Sequence, residues 1–81
     1  MIKKLLIANR GEIAIRIVRA AAEMGITSVS VFPEDDANSL HVVKADEAVA
    51  LPGAGAQAYL DKNAVIEAAL QSNADAIHPC Y

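Results

Sequence analysis

The chain has 81 residues, enough for one small domain and too few for two, and its 54% hydrophobic content comes from Ala, Val, Ile and Leu with only 4% aromatics. A net charge of −3 with both signs scattered leaves no basic stripe to follow a phosphate backbone, which sets nucleic-acid binding aside. No window approaches the roughly eighteen apolar residues of a membrane span, the start "MIKKLLIANRGE" lacks a signal-peptide core, and the one cysteine, Cys80, has no internal disulfide partner, so the expected address is cytoplasmic.

In chain order, "KLLIA" (4–8) is a short apolar run of buried-strand type, and residues 11–24 switch to helical period. Ile13, Ile17, Ala21 and Met24 form the apolar stripe of this helix, widened by Ala14, Val18 and Ala22, and that face is expected on a sheet. Asn9 with Glu12 three residues on resembles a capping box, and Gly25 stands where a left-handed C-terminal cap belongs. The β-branched, alternating "TSVSVF" (27–32) predicts a second strand, "LHVVKA" (40–45) a short helix carrying His41, and "EAVAL" (47–51) a third strand. After the connector "PGAGAQ", residues 61–73 read as a second long helix and "DAIHP" (75–79) as a last strand. Strands alternating with helices imply right-handed crossovers. The fold class is therefore α/β, a small Rossmann-like three-layer domain with a mainly parallel four-stranded sheet. A chain of this size buries only about 60–65% of its unfolded surface, so its core is thin unless other polypeptide covers it.

The strand-to-helix stretch "ANRGEIA" (8–14) sits where nucleotide-binding folds keep a phosphate loop, but G-x-G-x-x-G needs glycines for the turn, for backbone approach and for helix packing. Only Gly11 is present, and no Gly-Lys-Ser/Thr triplet occurs. Glu34, Asp35 and Asp36 follow the second strand near the usual place of a ribose-binding acid, yet acids with Pro and Asn are also ordinary turn formers, and a loop is the preferred reading. Gly53 and Gly55 read as a plain connector. His41 and His78 have no ligand-spaced partners, adjacent Asp46 and Glu47 point apart, and Cys80 has no base assigned by sequence, so no catalytic or metal constellation emerges. Opposite the apolar stripe, Glu12, Arg16, Arg19 and Glu23 form either a solvated face with two i,i+4 ion pairs or a polar contact surface for another subunit.

Taken together, "IANRGEIAIRIVRAAAEMGI", "SVSVF…D…SLHVVKADEAV", "YLD…VIEAAL" and "DAIHPCY" resemble the opening segment of biotin carboxylase, over essentially the whole chain. The resemblance implies a pre-ATP-grasp N-terminal domain over residues 1–81, incomplete at its C-terminal end, of the kind found in acetyl-CoA, propionyl-CoA, pyruvate and urea carboxylases. The intact enzymes of that family use ATP, bicarbonate and magnesium to carboxylate biotin on a carrier protein. The nucleotide lid, metal-binding acids and carboxylation base would all lie beyond Tyr81, so the chain alone is expected to be non-catalytic and without a cofactor of its own. By the same resemblance Arg16, Arg19 and Glu23 lie on a two-fold dimer face, and Tyr81 borders the biotin pocket. Partners are then a second copy, weakly held, or the remainder of a carboxylase. The family pattern continues "HPGYGFLSEN", whereas this sequence has Cys80 where glycine is expected, a side chain that positive φ or close backbone approach would exclude. A free-standing, non-catalytic α/β module that binds a partner or small ligand is the alternative.

Overall fold

The computed structural model describes residues 1–79, and in it four strands make one sheet in the order β3-β2-β1-β4, every pair parallel. They are β1 (Lys4–Ile7), β2 (Thr27–Pro33), β3 (Glu47–Leu51) and β4 (Ala76–His78). The helices are α1 (Gly11–Glu23), α2 (Leu40–Lys44) and α3 (Lys62–Ser72), with short 3-10 segments at Glu34–Asp36 and Ala56–Leu60. Strands and helices fall within about one residue of the sequence pattern, as expected where hydrophobic period sets them. The 3-10 segments carry no such period and escaped it.

Successive strand residues face opposite ways, so adjacent Leu6 and Ile7 separate the two helical layers. Leu6 joins Val29, Val31, Leu51, Tyr59, Val65, Ala68 and Ala69 under α3, whereas Ile7 joins Ala14 and Val18 under α1. Helices thus cover both faces, the three-layer arrangement that parallel strands need. Each large aliphatic side chain buried in these clusters is worth about 1.5–3 kcal/mol. The alternation of "TSVSVF" does not mark a wet face: Ser28 and Ser30 are fully buried on the α1 and α2 side. Their hydroxyls are satisfied there. Ser30 Oγ donates to the His41 carbonyl at 2.9 Å, and Ser28 Oγ meets Asp46 Oδ2 at 3.3 Å.

Two features of α1 correct the sequence reading. Its buried residues are Ala14, Val18 and Ala21, with Ile17 half-buried, while Ile13 and Met24 are 59% and 73% exposed and Ala22 is also outside. Apolar residues circle more of this helix than the sheet can cover, and the small ones take the sheet side because they allow close approach. The capping box is also absent: the N-cap is Arg10, in an extended conformation with no side-chain cap, and Asn9 turns elsewhere. The C-terminal cap is as expected. Gly25, at φ 72°, donates to the Ala22 carbonyl and Ile26 donates to that of Ala21, a Schellman pair. Helix α3 ends the same way through Asn73, at φ 61°, and starts on Asp61, whose carboxylate accepts from Ala64 N–H at 3.2 Å.

Candidate functional site

The chain leaves β1 toward β2 on one side and later returns to place β4 on the other, so the crevice outside the carboxyl ends of β1 and β4 is the switch point of the sheet. Residues 8–11 form one rim and Pro79 the other. Asn9, buried to 4% exposure, crosses between them: its Oδ1 accepts from His78 Nδ1 at 2.8 Å. The backbones are tied as well, Ala8 N–H donating to the His78 carbonyl at 3.0 Å. In "N-x-G-x-x-A" (9–14), Gly11 at φ 63° and tightly packed Ala14 occupy the second and third positions of a dinucleotide fingerprint, and asparagine stands at the first. The Asn9–His78 bridge spans the crevice that a pyrophosphate occupies in dinucleotide folds, so geometry and missing glycines weigh against that ligand together.

A second polar cluster lies beside it. Tyr59 Oη donates its only hydrogen to Asp36 Oδ2 at 2.9 Å, so His41 Nε2, at 3.1 Å, is the donor to the phenolic oxygen. Ser39 Oγ donates to Asp36 Oδ1, and the Arg10 guanidinium sits 6.0 Å from the Tyr59 ring centre. The hydrogen bonds from Ser39 and Tyr59 hold the Asp36 carboxyl below the usual range, while burial and the Asp36 hydrogen bond hold the Tyr59 phenol neutral far above its own. Asp35 Oδ1 accepts from Gly55 N–H at 3.3 Å. Asp35 and Asp36 are therefore occupied in fixing the loops, as the turn reading anticipated. Arg10, Glu12, Asp36, Ser39, Leu40 and His41 enclose an open cleft of about 330 Å³ in front of the start of α1.

Arg16, Arg19 and Glu23 stand together on the exposed face of α1, flanked by Ile13 and Met24. Of the two expected ion pairs, Glu12–Arg16 forms at 3.5 Å, and among the described residues Arg19 and Glu23 make none. Asp46 and Glu47 do point apart, the first to Ser28 and the second to Lys4 Nζ at 2.8 Å. Tyr81 and Cys80 lie outside the described residues. Among the described residues no three His, Cys, Asp or Glu side chains are grouped to hold a metal ion, and no helix is long and apolar enough to cross a membrane. Sequence reasoning missed the Asn9–His78 bridge and the Tyr59 hub. The two ends of the bridge are 69 residues apart and carry no spacing signal.

The family model described as "Biotin carboxylase, N-terminal domain" matches residues 1–81. The chain is 52% identical over 82 residues to biotin carboxylase 1 of Bacillus subtilis, covering 100% of this chain and 18% of that protein. It is 54% identical over 83 residues to the pyruvate carboxylase of Staphylococcus aureus, covering 99% of this chain and 7% of that one. Among solved structures, the biotin carboxylase domain of a single-chain bacterial carboxylase matches with a TM-score of 0.92 at 54% identity, over 98% of this chain and 18% of that chain. The chain thus spans less than a fifth of the length of each of these relatives.

Proposed function

We propose, from the premise that this chain belongs to the biotin carboxylase N-terminal domain family, that it is the leading segment of a biotin-dependent carboxylase and is not catalytic by itself. In this reading the whole unit carboxylates carrier-bound biotin with ATP, bicarbonate and magnesium in the cytoplasm. Polypeptide outside the segment supplies the nucleotide and metal sites. The segment contributes a rigid platform, the β1/β4 rim, Tyr81 at the border of the biotin pocket, and Arg16, Arg19 and Glu23 to a two-fold contact.

The observation that carries the reading is the unfinished side of the sheet. Strand β4 pairs with β1 alone, leaving its outer backbone groups without a strand partner among the described residues. Beside that edge Leu60, Ile66, Leu70 and Ile77 are 61%, 51%, 73% and 37% exposed. Ile77 and Ile66 line an apolar groove of about 290 Å³ together with Ala8, Val65 and Pro79. Side chains of core type beside an unpaired edge are what a domain shows where further strand and helix cover it. To test the reading, the 81-residue chain is mixed with a B. subtilis biotin carboxylase 1 lacking its matching segment. Biotin-stimulated, bicarbonate-dependent ATP cleavage is expected from the mixture and from neither piece. Activity of the chain alone, or a mixture that stays inactive, would overturn it.

A further inference from the structure

We propose that the cleft in front of α1 is a binding site for a free aliphatic α-amino acid, with the ligand's ammonium on His41 Nδ1 and Asp36 and its carboxylate on Arg10 and the opening N–H groups of α1. Such a site is independent of the carboxylase reading. Its centre is His41, a polar side chain only 2% exposed whose ring hydrogen bonds are all made by one nitrogen. Tyr59 gives its hydrogen to Asp36, so Nε2 carries the ring proton, between the Tyr59 oxygen at 3.1 Å and the Val31 carbonyl at 3.4 Å. In the neutral imidazole the other nitrogen, Nδ1, keeps its lone pair. Nδ1 has no hydrogen-bond partner among the described residues, yet every fully enclosed side-chain nitrogen and oxygen among them has one, so Nδ1 is the part of the ring that reaches open space. The cleft that His41 lines is that space.

The rest of the wall decides the ligand's chemistry. The two Asp36 oxygens accept from Ser39 and Tyr59, one hydrogen bond each, and each keeps a lone pair free. With Nδ1 they form a set of acceptors, which calls for a donor such as an ammonium. The same cleft holds a set of donors. Arg10 makes no ion pair among the described residues, and α1 starts without a side-chain cap, so its first-turn N–H groups are free to take a carboxylate. Nothing outside its own stretch of chain lies within 4 Å of a Cβ placed on Gly11, which leaves a ligand room to approach them. A simple anion would meet the His41 lone pair and the charges of Asp36 and Glu12, and a simple cation would meet Arg10 and the helix start; a zwitterion satisfies both sets. Ile15 and the exposed Leu40 line the same cleft and give an aliphatic side chain an apolar wall. At about 330 Å³ the cleft lies at the small end of ligand sites, roughly 300–1,000 Å³, which suits one amino acid.

The test is two-bond 15N–1H correlation NMR on the 81-residue chain at neutral pH, titrated with L-leucine. His41 is expected to show a protonated Nε2 and an unprotonated Nδ1, and leucine to move the Nδ1 signal saturably together with the backbone amides of Gly11 and Glu12. Leucinamide, which lacks the carboxylate, and 4-methylpentanoate, which lacks the ammonium, are each expected to bind at least about tenfold more weakly, the loss of one charge-assisted contact. Arg10→Gln, at an exposed position, is expected to weaken leucine by a similar factor and to leave leucinamide unchanged. A His41 protonated on Nδ1, or signals unmoved by leucine, overturns the proposal. So does an amide or an acid that binds as well as leucine, since the cleft would then be selecting a cation or an anion. Should Arg10→Gln unfold, the three ligands on the wild-type chain decide alone.

Discussion

Tyr59 is where three connections of the chain meet, because its hydroxyl joins Asp36 in the loop after β2 to His41 on α2 while its ring fills the core beneath α3. Tyr59→Phe keeps the ring and leaves the His41 N–H with only the Val31 carbonyl at 3.4 Å, too long to replace what was lost. A stability loss of about 1–2 kcal/mol is expected in urea unfolding. Two carboxylates are held below their ordinary range in the folded chain. Asp36 is held low by Ser39 and Tyr59, and Asp75 by the backbone N–H groups of Lys3 and Lys4, both at 2.9 Å. Folded-state values below the ordinary 3.8 mean that their contribution is complete above that range and is lost as pH falls through the lowered values. The urea midpoint should therefore be level from neutral pH to about 5 and fall below about 4, with a shallower fall in Asp75→Asn; an unchanged acid limb in that variant would contradict this assignment. The acids at 34–36 were legible as turn formers from their company of Pro and Asn. Asn9 was not legible: its type and its spacing to Glu12 suit a cap, and only a β4 residue far along the chain reveals its task.

Helix α1 shows how far periodicity reaches and where it fails. Its limits and its closing glycine follow from the sequence, and Gly25→Ala is expected to cost about 1 kcal/mol, since positive φ strains any L side chain even though no atom lies within 4 Å of the added Cβ. A thermal melt unchanged by that substitution would count against the cap. Which residues of its apolar arc meet the sheet was not legible, because a 3.6-residue period fixes a face only to within its width. That ambiguity leaves Ile13 and Met24 in solvent beside Arg16, Arg19 and Glu23. For the proposed two-fold contact, Arg19 of one copy meets Glu23 of the other and the reciprocal pair follows by symmetry. Arg19→Glu should abolish whatever dimer sedimentation detects, and Arg19→Glu with Glu23→Arg should partly restore it. A dimer indifferent to both would move the contact to the sheet edge. Strand β2 carries the same lesson as α1: its alternation was read correctly, but only the helices on both sides show that its serines are interior and hydrogen-bonded.

At the scale of the molecule, a body of 31 × 23 × 20 Å has little interior to divide between two helical layers, and one flank keeps core-type side chains outside. The parallel sheet and its helices were legible from alternating periods, whereas the open β4 flank was anticipated only through the family resemblance, because hydrophobic residues on α3 look alike in sequence whether covered or not. Beyond the proposed two-fold dimer, the isolated chain should associate further through that flank. Its mass by light scattering is expected to rise with concentration, and Ile77→Lys to suppress the rise. The proposed function requires that this platform serve a carboxylase. The most direct measurement places the 81 residues in frame of the matching segment of B. subtilis biotin carboxylase 1 and follows bicarbonate-dependent ATP cleavage stimulated by free biotin. Turnover in the folded chimera, with none in the isolated chain, is the predicted result; a folded chimera without turnover, even after Cys80→Gly, would contradict it.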